Sequence, residues 1–297
     1  METQLEKELM RAGDAQKGIL YGGTHPDGFH ADDILCAVIL RTELPQYHWQ
    51  WIRTRNEDLL KKCNIVFDVG GGTYDHHGAP VYYPNGVMMA ACGKLLNDMY
   101  DDWALKEELR KGLFYTVEQQ DIGAPITNGY RLTSNKLACV ASFVPMWNED
   151  QSPQAMDAAF AETVDFVMPI FARELIRANS MLQARDIARN CNRIFDGKVM
   201  VMEDYVPWTD VAIADPDVRC CIYRDASKKW RIQMVPKEYG SKELRYALPE
   251  RWRGTRLDQC KLATGIDDAI FVHPTGFLAG FGSRESCIKV AKIVCNM

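Results

Sequence analysis

Five of the six histidines in this 297-residue chain fall in three stretches, each following a short apolar run. His25 and His30 stand with Asp27, Asp32 and Asp33 in THPDGFHADD. Asp68 closes NIVFD, and Asp75, His76 and His77 follow in YDHHG, while His273 ends AIFVH. Imidazole nitrogens and carboxylate oxygens suit manganese, iron, cobalt or zinc, and the cysteines lie elsewhere. A carboxylate at a strand end can also bridge two ions about 3.5–4 Å apart, the arrangement that clamps the attacking and leaving oxygens in phosphoryl hydrolysis. Each residue has a plainer reading. Asp32 and Asp33 open a helix and fit dipole-favouring caps, and Asp121 in EQQDIGAP reads as an ordinary turn residue. Asp68 is harder to dismiss, because an unpaired carboxylate ending a buried strand is costly. Taken together, the residues point to a divalent-metal site.

The elements that must position them follow from hydrophobic patterning. Ile19 to Tyr21 reads as a strand, and a polar, glycine-rich loop leads from it into an apolar helix starting near Ala31. YHWQWIRT is a second β-rich stretch, NEDLLKKC a short helix, and NIVFDVGG a buried strand. Strand, loop, helix and strand, with continuous apolar strands, predict a parallel sheet with flanking helices. Ligands in such sheets bind beyond the carboxyl ends of the strands. Helical spacing continues from Gly86 to Leu109, with Met89, Cys92, Leu95, Leu96, Met99, Trp103 and Leu105 on an apolar face. A long helix is expected over about 154–191, kinked or split at Pro169. From Lys198 the pattern turns β-rich in KVMVME, DVAIA, VRCCIYRD and KWRIQMVP, and a final helix opens at Ser283 as N-cap. The expected organisation is an α/β domain over 15–196 and a smaller α+β domain over 197–297.

Composition sets the bounds. Apolar residues make up 47% and charged residues 25%, an ordinary globular balance. The net charge of -5 argues against a polyanion-coating protein. No stretch approaches the roughly 20 apolar residues that span a bilayer, and the N-terminus lacks a signal-peptide core. Ten scattered cysteines without a C-x-x-C read as buried thiols in a reducing, cytoplasmic setting, with no membrane partner. Oligomeric state is not legible.

The stretches GTHPDGFHADDILCAVILR, IVFDVGG with YDHHG, and KWRIQMVP, LPERWRG and AIFVHPTGFLAGFGSRES resemble the MYG1 family, relatives of the DHH-type phosphoesterases. The resemblance runs from about Gly22 to Lys292. It implies an α/β domain followed by a smaller one, and metal-dependent 3′–5′ exonuclease activity on RNA. It also implies His25, His30, Asp32 and Asp68 around one ion, with Asp68, His76 and Asp121 around a second, manganese first and Mg²⁺, Co²⁺ or Zn²⁺ as substitutes. Asp75 then orients a histidine ring, and His77 meets the scissile phosphate or leaving group. Three departures stand out. Ile122 follows Asp121 where the family has Asn-Gly, the DVGGGTYDHHG link is short, and Gly78 replaces a glutamine.

On the substrate side, twelve Lys or Arg stand against five Asp or Glu between Arg219 and Lys261, interleaved with Tyr223, Trp230, Tyr239, Tyr246 and Trp252. That mixture fits a solvated face or a single-stranded nucleic acid, with phosphates held by charge and bases stacked. The stretch from His273, with Gly280, Gly282, Ser283 and Arg284 before a helix, reads as a phosphate cradle. The expected function is a metal-dependent phosphodiesterase acting on RNA or short oligonucleotides. A small-nucleotide phosphoesterase and a catalytically lapsed nucleic-acid-binding protein are the alternatives.

Overall fold

The computed structural model describes residues 18–78, 80–84, 86–125 and 135–297. The described chain divides into two compact units that meet between Asn179 and Ser180. The division falls inside a long helix rather than at the expected turn near Asp196–Lys198. The reason is packing: Ala178 is buried in the core of the first unit, whereas Ala188 is buried with the strands of the second.

In the first unit, β1 (Ile19–Thr24) lies between β2 (His48–Arg53) and β3 (Ile65–Val66), parallel to both. Gly22 stands opposite Trp51 on one side and Ile65 on the other. Parallel neighbours need a crossover. Helix α1 (Ala31–Glu43) supplies the first, and the single turn α2 (Glu57–Leu60) the second. Helix α1 is buried without interruption from Asp32 to Leu40, which explains its almost wholly apolar sequence.

The expected helix over Gly86–Leu109 is two helices, α3 (Ala91–Met99) and α4 (Trp103–Leu109). Asp102 makes the break, because its side chain caps the amides of Ala104 and Leu105 and thereby starts a new helix. Trp103 is consequently exposed instead of joining the apolar face. A π-helical turn over Arg110–Phe114 leads into α5 (Tyr115–Asp121), which ends on Asp121. The long helix α6 (Pro153–Arg189) runs through Pro169 without being split.

The second unit is a six-stranded mixed sheet, in the order β4 (Asn192–Ile194), β5 (Val199–Asp204), β6 (Cys220–Arg224), β7 (Trp230–Met234), β9 (Leu278–Phe281), β8 (Ala269–Val272). It is antiparallel except where β5 pairs β6. That parallel pair demands a crossover, so DVAIA, expected as a strand, forms the helix α7 (Thr209–Ala214) with Ala212 buried. Arg245 locks this crossover by donating to the carbonyls of Ala212, Ile213, Asp215 and Val218. Helix α8 (Leu257–Thr264) precedes β8, and α9 (Arg284–Cys295) closes the chain with the Ser283 hydroxyl as its N-cap. All ten cysteines are free thiols. Cys139, read with the others as a buried thiol, is exposed in a 3-10 turn. Among the described residues no helix is long and apolar enough to cross a membrane.

Candidate metal centre

The site lies in the first unit, beyond the carboxyl ends of its three strands. The loop after β1 carries His25 and His30, and the first turn of α1 carries Asp32 and Asp33, both with no solvent exposure. Asp68 follows β3 by two residues and adopts a left-handed backbone (φ 54°), which aspartate tolerates better than most residues. Its carboxylate reaches both neighbouring loops: Oδ2 lies 3.5 Å from His25 Nε2, and Oδ1 lies 3.1 Å from His76 Nδ1. On the far side, His76 Nε2 lies 3.3 Å from Asp121 Oδ2 at the end of α5. His25, Asp68, His76 and Asp121 thus form one continuous chain of donors. His30, Asp75 and His77 join them in lining an open cleft of about 740 Å³.

The loop from Gly70 to Gly78 is closed by its own sequence. Asp75 Oδ2 accepts from the Gly71 amide at 2.7 Å, and its Oδ1 accepts from the His77 amide at 2.9 Å. A Cβ on Gly78 would stand 2.8 Å from Gly71 Cα, so the short link requires glycine where the family pattern has glutamine. Buried Lys94, reaching from α3, donates to the carbonyls of Asp75 at 2.9 Å and Thr73 at 3.3 Å. The same Asp75 oxygen that accepts from the His77 amide lies 3.1 Å from Nδ1 of this exposed histidine.

Asp33 keeps its expected cap and makes further contacts. It caps α1 by accepting from the His30 amide, as a helix-opening aspartate should. It also accepts from Thr24 Oγ1 at 2.7 Å and lies 3.1 Å from His25 Nε2, so its oxygens group with His25 and His30. Asp32 groups instead with His76 and Asp121. Its two oxygens accept from the Ala91 and Cys92 amides, so it also caps α3. The alternation of helix faces explains the exchange: adjacent residues point about 100° apart, toward different neighbours.

The electrostatics are those of a site short of positive charge. Burial alone would lower the His25 pKa, yet Asp33 and Asp68 raise it to about 10. Burial likewise opposes ionisation of Asp68, but His25 and His76 override it and hold that carboxyl well below the usual range. Asp121 and Asp32 are not so compensated. Burial and then repulsion from Asp68 push Asp121 up to about 6, and burial with repulsion from Asp121 and Asp68 pushes Asp32 far up. Four buried atoms make no aligned hydrogen bond: His25 Nδ1, Asp68 Oδ1, His76 Nδ1 and Asp121 Oδ2. Asp68 Oδ1 and His76 Nδ1 nevertheless lie at ion-pair distance, close but not aligned for a hydrogen bond. Unsatisfied buried donors and crowded acids are both relieved by a divalent cation, and the residues present fit one.

The substrate residues expected in the second unit have other structural work. Gly280 lies within β9, opposite Arg231 and Phe271, and a Cβ there would stand 2.3 Å from Arg231 Nη1. Gly282 is packed against Asp268. Ser283 and Ser286 bond to Asp268 and, despite its burial, hold its carboxyl below the usual range. A carboxylate therefore already occupies the start of α9, in place of the expected phosphate. Arg284 pairs with Glu203, and His273 Nδ1 accepts from the Thr275 amide in the β8–β9 hairpin. Much of the basic stretch is similarly engaged. Arg224 pairs with Asp204, Arg231 with Asp225 and Lys237 with Glu243, while Trp252 and Tyr223 are core residues instead of stacking platforms.

Imidazoles and carboxylates converging beyond the carboxyl ends of a parallel sheet define an α/β protein equipped to bind divalent cations. The profile of the MYG1_exonuc family, described as an uncharacterised protein family (UPF0160), matches residues 22–93 and 81–294. The chain belongs to that family. It is 31% identical to the MYG1 exonuclease of Rattus norvegicus over 91% of this chain and 83% of that protein. It is 30% identical to the MYG1 exonuclease of Homo sapiens over 91% and 84%. Among solved structures, RecJ from Thermus thermophilus in complex with Mn²⁺ is 11% identical with a TM-score of 0.24, covering 99% of this chain and 54% of that one. That likeness is too slight to bear on fold or chemistry. Patterning in the sequence did not single out Lys94 or Arg55, which also lines the cleft, because neither stands in a ligand-like motif.

Proposed function

We infer that this chain is a divalent-metal-dependent phosphodiesterase, working as a 3′–5′ exonuclease on RNA or short oligonucleotides. One observation carries the reading: His25, Asp68, His76 and Asp121, from separate stretches of the chain, converge in a single open cleft, each with a buried ligand atom that makes no aligned hydrogen bond. The MYG1 exonuclease relatives support a nucleic-acid substrate over other phosphoesters. His25, His30 and Asp33 with Asp68 would hold one cation, and Asp32, His76 and Asp121 with the other Asp68 oxygen a second. Divalent cations there would supply a nucleophile near neutral pH and neutralise charge growing on the phosphoryl oxygens.

The chain's own residues do the remainder. Asp75 fixes the His77 ring through Nδ1, which leaves Nε2 to meet the departing oxygen and hand over a proton. Lys94 and the Gly71–Gly78 contact hold the loop rigid, so that His76 and His77 keep their positions while substrate exchanges. The test is hydrolysis of 5′- and 3′-labelled RNA, DNA and short oligonucleotides with Mn²⁺, with chelator, and after Asp68→Asn. Activity with Mn²⁺ alone in the wild-type protein, releasing nucleotides from the 3′ end of RNA, is expected. Equal rates under all three conditions would overturn the metal reading. Turnover confined to the shortest substrates would turn it toward a small-nucleotide phosphoesterase.

A further inference from the structure

Every ionisable group lining the cleft is an acid or an imidazole, with one exception among the described residues. Arg55 is the single Lys or Arg on that wall. It is brought there by the sheet. Strand β2 ends at Arg53, and the Thr54 amide still bonds to the Thr24 carbonyl, so the chain leaves β2 directly over the loop that carries His25 and Asp27. Arg53 and Arg55 have opposite environments. The Arg53 guanidinium is buried against the Phe29 and Phe160 rings, 3.6 Å from Asp157 and bonded to the Asp27 carbonyl, where it secures the loop. Arg55 is 64% exposed and reaches Asp27 Oδ2 at 2.5 Å, and that carboxylate is itself 61% exposed.

Nothing in the loop needs the Arg55–Asp27 pair for its shape, since Arg53 already holds the backbone of Asp27. A pair so open to water contributes little and exchanges readily. A guanidinium presents five donors in a plane and matches phosphate with two parallel bonds. Asp27 Oδ2 also lies 3.8 Å from His25 Nδ1, so the stand-in carboxylate sits beside a member of the metal cluster.

We propose that Arg55 is the phosphate-binding residue of this cleft and that Asp27 occupies it as a competing carboxylate which the phosphate of a nucleotide displaces. This rests on the phosphodiesterase reading and adds the residue that recognises the anion. A cluster made of acids would otherwise repel its substrate on every side that the cations do not cover. Arg55 supplies the complementary charge at the rim, and Asp27 keeps it extended between turnovers.

The test uses the full chain, titrated first with Mn²⁺ alone and then, loaded with Mn²⁺, with inorganic phosphate and with a nucleoside 5′-monophosphate. Arg55→Ala is expected to weaken both anions about ten- to a hundredfold and to raise KM more than it lowers kcat, with Arg55→Lys between Ala and wild type. Asp27→Asn is expected to tighten both anions several-fold, and neither change should alter Mn²⁺ affinity. Unchanged anion binding in Arg55→Ala overturns the proposal. So does Asp27→Asn that weakens Mn²⁺ and anions together, because Asp27 would then be a metal ligand. A wild-type protein that takes up no Mn²⁺ is a failure of the metal reading, and anion binding by the metal-free variants then decides the role of Arg55 separately.

Discussion

Asp68→Asn removes one charge and almost no volume from the point where the three loops meet. In the absence of metal its consequences partly cancel. His25 and His76 lose the carboxylate that raises the pKa of each, and breaking a buried pair in this way typically costs about 3–5 kcal/mol. Asp32 and Asp121 are simultaneously freed of the negative neighbour that disfavours their ionisation. The metal-free variant should therefore melt close to the wild type. With metal the effects would no longer cancel, since Asp68 lies within reach of both His25 and His76 and would serve both halves of the site. Loss of a residue that merely orients a ligand weakens metal affinity about 10- to 100-fold, so loss of Asp68 should cost a hundredfold or more, about 2.7 kcal/mol. Mn²⁺ at about 1,000 times the wild-type Kd stabilises by about 4 kcal/mol, and the variant retains about 1.4 kcal/mol of that. At about 2–4 °C per kcal/mol, the Mn²⁺-induced rise in melting temperature should shrink by about 5–10 °C. Melting curves of both proteins with chelator and with saturating Mn²⁺ measure this. An Asp68→Asn protein that keeps the full Mn²⁺-dependent rise would refute the shared-carboxylate geometry.

Three further outcomes follow from the same coordinates. Lys94→Met should lower Mn²⁺ affinity about tenfold and speed amide exchange over Gly70–His77, because the ammonium bonded to the Thr73 and Asp75 carbonyls is lost; an unchanged Mn²⁺ titration would show the loop is held without it. Gly93→Ala places a carbon 1.8 Å from Glu118 Oε1 and 2.8 Å from the Tyr83 hydroxyl, and should destabilise the first unit by about 1–3 kcal/mol in denaturant melts. Mn²⁺ binding should release protons and tighten as pH rises. His25 is protonated below about 10, so its proton competes with the cation throughout the neutral range and competes harder as pH falls. Calorimetry in buffers of different ionisation enthalpy reads that release, and its absence at pH 7 would contradict the role of His25.

Local sequence determined a good part of this protein. The apolar stretches around Ile19–Tyr21, in YHWQWIRT and in NIVFD read as strands of a parallel sheet, and they form β1 to β3. Ser283 was legible as a helix cap and Asp75 as the residue orienting a histidine, since both act within a few residues of chain. The clustering of His25, Asp68 and His76 was legible only as a sum of types and spacings, and Asp121 entered only through the family resemblance. Tertiary structure decided how Asp32 and Asp33 divide between the two halves of the site, because adjacent helical residues face different neighbours and a sequence does not say which neighbour stands where. It also decided that DVAIA is a crossover helix, a consequence of β5 and β6 lying parallel, that Gly280 packs against Arg231 and Phe271, and that Trp252 is buried. A basic or glycine-rich stretch shows what a segment can bind. Which carbonyls, carboxylates and rings already occupy it depends on residues distant in the chain, and the partners of Arg55 and Lys94 are fixed in the same way.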